Sequence, residues 1–452
     1  MALIEKCQQI TNKVIESRWF IPTQFAITAA ALISGLNVAG SAVLLLAAVL
    51  LLVFSDDTLS ALCPVFFIIM AVTSFYRDYY ALTKYAWAAA PFALALAVHF
   101  ICYRSRRVRG RLLLPMCAVS TALLVGGAGT IPKNEYFSAL SAYYVLGLGA
   151  VLTLIYALIC PRLAKKRGYD IAERFASLLY ALAGLAVVII IMFYVDHWSR
   201  LAGDFHTPFI SYRNFCTTMM MFGMPAACLF IRSSKLHFIG LAFVYFGMLI
   251  AGSRSGLLFG TAEFAACLVY VYAVSPQERC RYRRIAAICA LPMLAACGFM
   301  IYKLFLGDSG RMGEYFVKPT EARVSFYPQG VSDFLERPVF GWGIGNMKNA
   351  EIYQGVNGSM IFYHNAVLQV LASMGLVGAA AYLWQLAVRV RLLWQARSTP
   401  AFLFVIPFGA VLMMSQTNPG IFCPLPTALL MMLLFAVIEY SQPQDEGSSE
   451  NR

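Results

Sequence analysis

The chain has 452 residues, of which 60% are hydrophobic and only 13% charged, and its mean hydropathy is +0.70. Soluble domains carry roughly 25% charged residues, so a soluble enzyme is excluded and an integral membrane protein is expected. The net charge of +13 sits mostly in short loops, the pattern of cytoplasmic anchoring residues rather than of a nucleic-acid surface, and no nucleic-acid partner is expected.

The N-terminal stretch MALIEKCQQITNKVIESRWF carries Lys6, Lys13 and Arg18 but no compact apolar run ending in small residues. No removable signal peptide is read there, and the first span is expected to act as the insertion signal. Apolar runs follow at 20–37, 39–55, 59–75, 85–103, 112–128, 138–160, 175–196, 214–231, 236–252, 255–275, 285–306, 364–384, 401–418 and 421–439. Each is taken as a helix crossing about 30 Å of hydrocarbon. The fold class is therefore all-α: a polytopic transmembrane helical bundle of about 12–14 spans. The lower count holds if the first pair forms a shallow hairpin around Gly35-Leu36-Asn37, or if the last two runs merge.

With the N-terminus in the cytoplasm, alternation puts every strongly basic loop on the cytoplasmic side. These loops are RSRRVRGR (104–111), PRLAKKRGYDIAER (161–174), PQERCRYRR (276–284) and the stretch with Arg389, Arg391 and Arg397. The chain then divides into N-terminal transmembrane helices (1–306), an extracytoplasmic loop (307–363), C-terminal transmembrane helices (364–439) and a cytoplasmic tail (440–452). The long loop is read as a lid or binding element. Within it SDFLERP suits a short amphipathic helix, and VFGWGIGN is rich in turn residues, with Gly341, Gly343 and Gly345 expected to let the backbone bend near a site. Gly375 and Gly378 are read as small residues for close helix packing. The twelve cysteines are scattered without CxxC spacing, so neither a disulfide framework nor a metal site is expected.

Polar residues gather at a few span ends on the outward side. Arg213 opens a span in ISYRNFCTTMMMFGMP, Arg254 stands in the turn of MLIAGSRSGLLFG, and His364 with Asn365 opens HNAVLQVL. Arginine in a turn between apolar segments either snorkels or meets an anion. Three such residues at one face suggest an anion site, since guanidinium groups grip phosphate oxygens as a fork and helix N-termini add partial positive charge. An imidazole beside them can exchange a proton near neutral pH. Of the other histidines, His99 and His237 are read as packed or boundary residues, and His197 and His206 as solvated ones.

The pattern His364-Asn365 with Leu368, Leu371, Gly375 and Gly378, preceded by ERPVFGWGIGN (336–346) and AGSRSGLL (251–258), resembles the O-antigen ligase and polymerase superfamily of bacterial membrane glycosyltransferases. The resemblance implies a metal-independent, inverting transfer that needs no cofactor. The donor would be a glycan on undecaprenyl pyrophosphate, and the acceptor a glycan, lipid or protein, at the outer face of the bacterial cytoplasmic membrane. It implies that His364 is catalytic and that Arg254, Arg213 and Arg323 bind pyrophosphate, with Arg311 competing with Arg323 for the loop position. A multi-span transporter is the alternative. No internal repeat supports it.

Overall fold

The computed structural model describes residues 2–76, 85, 87–103, 110–127, 139–165, 167–197, 212–274, 276–305, 326–344, 363–418 and 425–442. Among these every regular element is a helix, and each apolar run of the sequence coincides with one. The first is α1 (Ala2–Glu16), an amphipathic segment outside the predicted spans. It is followed by α2 (Phe20–Ser34), α3 (Asn37–Phe54), α4 (Thr58–Tyr76), α5 (Ala89–Cys102), α6 (Leu113–Val125), α7 (Ala139–Leu146) and α8 (Leu152–Leu163). The last two are joined by a π-helical turn, Gly147–Val151. Next come α9 (Ile171–Asp196), α10 (Tyr212–Phe230), α11 (Leu236–Ile250), α12 (Arg254–Val274), α13 (Arg279–Phe305), α14 (Phe326–Glu336), α15 (Ala366–Gln395), α16 (Val405–Met414) and α17 (Leu425–Tyr440). Five helical stretches among the described residues are long and apolar enough to cross a membrane, and seven shorter apolar helices accompany them. The chain is a polytopic helical membrane protein.

The first pair does turn tightly at Gly35, whose φ of 75° ends α2 in the left-handed conformation. α9 and α10 form the centre, with α10 buried along nearly all of its length. They approach closely because Gly223 has no side chain: a Cβ there would lie 2.1 Å from the Cβ of Ala183. Without a hydrophobic drive between helices in lipid, such close backbone approach is what earns packing energy. The start of α9 is fixed by Asp170, whose carboxylate accepts from the Glu173 backbone N–H at 2.9 Å. Loss of such a cap costs about 1 kcal/mol, so Asp170→Ala is expected to lower the melting temperature in detergent by a few degrees without altering the helix content measured by circular dichroism.

At the end of the bundle where α9 begins, basic residues of the loops are tied to acidic residues and carbonyls of neighbouring elements. Asp56, between α3 and α4, pairs with Lys165 at 2.6 Å and Arg167 at 2.7 Å. Arg174 donates to the Ile15 carbonyl at 2.6 Å and lies over the rings of Tyr169 and Phe20. Glu439, at the end of α17, accepts from the Arg111 backbone N–H at 2.7 Å and the Tyr156 hydroxyl at 2.6 Å. Burial alone would raise the Asp56 carboxyl, but the hydrogen bond from Lys165 and the charge of Arg167 outweigh it and hold it below the usual carboxylate range. A depressed carboxylate contributes stability that is present above its unfolded value, about pH 4, and is lost as pH falls through the folded one. Thermal melts of Asp56→Asn should therefore lie below wild type at pH 7 and converge with it on acidification below about pH 4.

Candidate active site

The end of the bundle opposite the basic loops collects the starts of α10, α12 and α15. Arg213 is in the first turn of α10 and is 9% exposed. The preceding Tyr212 is fully buried and its hydroxyl lies 2.9 Å from that of Thr73, which pins the first turn of α10 to the end of α4. The next residue, Asn214, accepts at its Oδ1 a hydrogen bond of 2.8 Å from the Ser253 hydroxyl.

That contact explains the Ala-Gly-Ser-Arg-Ser-Gly turn residue by residue. Gly252 takes a left-handed φ of 71° and reverses the chain. Ser253 caps α12, its Oγ accepting from the Gly256 N–H at 3.1 Å. A Cβ on Gly256 would fall 2.8 Å from that of Thr217, so only glycine lets α12 dock this closely on α10. Arg254 is thereby the first residue of α12, beside the first turn of α10 that carries Arg213.

His364 is joined to the same place through the end of α16. The Ala366 N–H donates to the Ser415 carbonyl at 2.9 Å, and the Asn365 amide nitrogen donates to the Gln416 carbonyl at 3.4 Å. One residue earlier, the Met414 sulfur lies 3.8 Å from the Thr218 hydroxyl of α10. Asn365 is the N-cap of α15, its Oδ1 accepting from the Leu368 N–H at 3.0 Å. His364 has a φ of 53° and is the one non-glycine residue with positive φ among the described residues. Strain of this kind costs on the order of 1 kcal/mol and persists where the surroundings over-determine it. The Phe326 ring at the start of α14 lies 5.8 Å from the imidazole.

Behind the histidine, α15 is not a continuous helix. At Gly375 the backbone turns to φ 61°, ψ −158°, and the segment after α14 enters the break. The N–H groups of Trp342 and Gly343 donate to the carbonyls of Ala372 and Ser373 at 2.8 and 2.9 Å. On the other side of the break, the N–H groups of Leu376 and Val377 donate to the carbonyls of Pro338 and Val339 at 2.7 and 3.2 Å. Four freed backbone groups are thus satisfied by one loop, the condition under which irregular backbone survives within an apolar bundle. Gly341 and Gly343 are both left-handed, with φ of 66° and 90°. Ile344, fully buried, then plugs the space between α6 and α15. Gly375 is therefore a helix break and not the packing residue expected from the sequence: an apolar run gives no sign of a break whose partner lies more than thirty residues away.

The structure thus brings Arg213, Arg254, His364 and Asn365 to one end of the bundle and sets Gly341 and Gly343 directly beneath α15. Arg323, its competitor Arg311, Gly345 and His206 lie outside the described residues. Three residues that sequence reasoning passed over support the site: Asn214, Asp333 and Gln369. Gln369 carried a signal, being the first amide among the apolar residues following Asn365.

No curated protein matches the chain. Residues 239–383 match a family model described as O-antigen ligase. The match runs from α11 through the capped start of α12, the glycine loop and His364 into α15, and over these residues the chain is similar to the O-antigen ligase family.

Proposed function

We propose that this protein moves a glycan from a polyprenyl-pyrophosphate carrier, undecaprenyl pyrophosphate in bacteria, to an acceptor hydroxyl at the outer face of the cytoplasmic membrane. The observation that carries the reading is the meeting of three helix starts, bearing Arg213, Arg254 and His364, at the end of the bundle away from the basic loops. In this reading the cations grip the diphosphate and the helix N-termini add to their field. Arg323, or Arg311 in its place, supplies a further guanidinium from the long loop. The His364 imidazole takes the proton of the acceptor hydroxyl as its oxygen bonds to the anomeric carbon. The carbon–oxygen bond to the diphosphate breaks, and the leaving group departs with the electron pair from the opposite face. The anomeric configuration is inverted. Guanidinium groups meet the charge that develops on the diphosphate, so the step is written without a divalent cation or other cofactor.

Transport is the competing reading, because broken helices often line ion and substrate paths. The break in α15 is filled by the 338–343 loop, with its freed groups bonded to that loop, which favours a scaffold for His364 over a permeation path. Reconstitution with undecaprenyl-pyrophosphate glycan and candidate acceptors, followed by mass spectrometry of the products, tests the proposal. A lengthened lipid-linked glycan identifies a polymerase, and transfer to a lipid, protein or other glycan a ligase. Movement of the lipid-linked glycan across the vesicle membrane with no new glycosidic bond would defeat the reading.

A further inference from the structure

The strained backbone of His364 is held from both sides. On its C-terminal side the anchors are the Asn365 cap and the bond from Ala366 to Ser415. On its N-terminal side stands Tyr363, 1% exposed, whose N–H donates to Gln369 Oε1 at 3.1 Å and whose hydroxyl donates to Asp333 Oδ2 at 2.5 Å. Asp333 is fully buried on α14, facing α15. Its Oδ1 accepts from Gln329 Nε2 at 2.5 Å, and its backbone carbonyl accepts from the Trp342 indole N–H at 3.0 Å. Gln369 is held in turn by the Ser373 hydroxyl, which accepts from its Nε2 at 2.9 Å. Asp333 therefore ties its own helix α14 to the residue immediately before the histidine through its carboxylate, and to the glycine loop that fills the break in α15 through its backbone carbonyl. Tyr363 has no room to move toward α14, since even a Cβ on Gly330 would stand 3.0 Å from its ring.

We propose that Asp333 is a positioning residue that fixes the direction of the His364 imidazole through Tyr363, so that the acceptor hydroxyl meets a base already aimed at it. This rests on the glycan-transfer reading above. The group does not touch substrate. A buried hydrogen-bonded link of this kind removes freedom from the chain beside a reacting group, and small misplacements there are felt in the chemical step more than in donor affinity. An aspartate suits the task because a carboxylate accepts from two donors at once. Asparagine keeps the shape, and its amide nitrogen can donate to the Tyr363 oxygen or to a flipped Gln329, whereas alanine leaves two buried donors without acceptors.

The test compares Asp333→Ala, Asp333→Asn, Tyr363→Phe and His364→Ala with wild type in vesicles, using undecaprenyl-pyrophosphate glycan extracted from the source organism as the probe. Asp333→Ala and Tyr363→Phe are expected to lower kcat by about 10- to 100-fold with KM for the donor within about threefold of wild type. Asp333→Asn should recover most of the loss. The midpoint of the low-pH limb of the kcat pH profile, along which the general base loses its proton, should move in the two slow variants, which a loss of folded protein alone does not produce. Tyr363→Phe keeps the ring and every helix contact, and so remains informative if Asp333→Ala fails to fold. Wild-type kcat in Tyr363→Phe, or a loss carried entirely by the amount of folded protein, overturns the positioning role. Full activity in His364→Ala would instead overturn the glycan-transfer reading beneath it, and the two failures are told apart in one experiment.

Discussion

Replacing His364 by alanine should reduce glycan transfer by about 10²- to 10⁴-fold, the range over which a positioned general base contributes. The donor should still bind, because the imidazole is needed for the acceptor proton and not for holding the diphosphate. His364→Gly sharpens the test. The position has a φ of 53°, which glycine adopts without penalty, and the relief of strain offsets the greater freedom glycine gives the unfolded chain. Its melting temperature should stay within a few degrees of wild type while transfer is lost, which separates chemistry from folding. Arg254 should behave differently from His364. Arg254→Lys preserves the charge but gives up the planar fork, so donor KM should rise and kcat fall by roughly tenfold each, whereas Arg254→Ala should approach the loss seen on removing a transition-state donor, about 10²- to 10³-fold. Retention of wild-type turnover by both His364→Gly and Arg254→Ala would mean that the three helix starts do not form the reacting site.

Much of this arrangement was legible before any coordinates. The apolar runs announced their helices because a membrane span needs length and hydrophobicity and little else. The boundaries were less legible where polarity and helix length part company: α15 runs on to Gln395, with Arg389 lying over the ring of Phe435, because an arginine stem can continue a helix past the apolar run. Arg254 and His364 stood out since a cation or an imidazole at the mouth of an apolar run is expensive without a reason. The π-helical turn at Gly147–Val151 and the break at Gly375 were invisible, because both depend on which backbone groups find partners elsewhere. Asp333 was hidden for a related reason: in SDFLERP it reads as the polar face of a surface helix, and only the docking of α14 on α15 turns that face inward.

The break in α15 supplies the second large effect. Gly375→Ala places a methyl group 2.4 Å from the carbonyl carbon and oxygen of Val339, and Gly341→Ala places one 2.4 Å from the carbonyl carbon of Ser373. Those neighbours are backbone atoms already committed to hydrogen bonds across the break, so they cannot yield as the end of a flexible side chain would. The conformation at Gly375, φ 61° and ψ −158°, is in addition one that residues with a Cβ scarcely adopt, at a cost of about 1–3 kcal/mol. Displacing the loop would release the bonds that Pro338, Val339, Trp342 and Gly343 make to α15, each contributing about 1 kcal/mol. The sum is on the order of 3 kcal/mol or more for either variant. Both should melt well below wild type in detergent, become open to proteolysis between 326 and 344, and lose transfer, because the short helix that carries His364 is aimed by the same bonds. Gly409→Ala is the matching control: it lies within α16 with nothing inside 4 Å of its built Cβ, so alanine there should stabilise the protein by about 0.5–1 kcal/mol. If Gly375→Ala matched Gly409→Ala in melting temperature and activity, α15 would have to be continuous in the working protein, and the loop at 338–343 would have no part in holding the histidine.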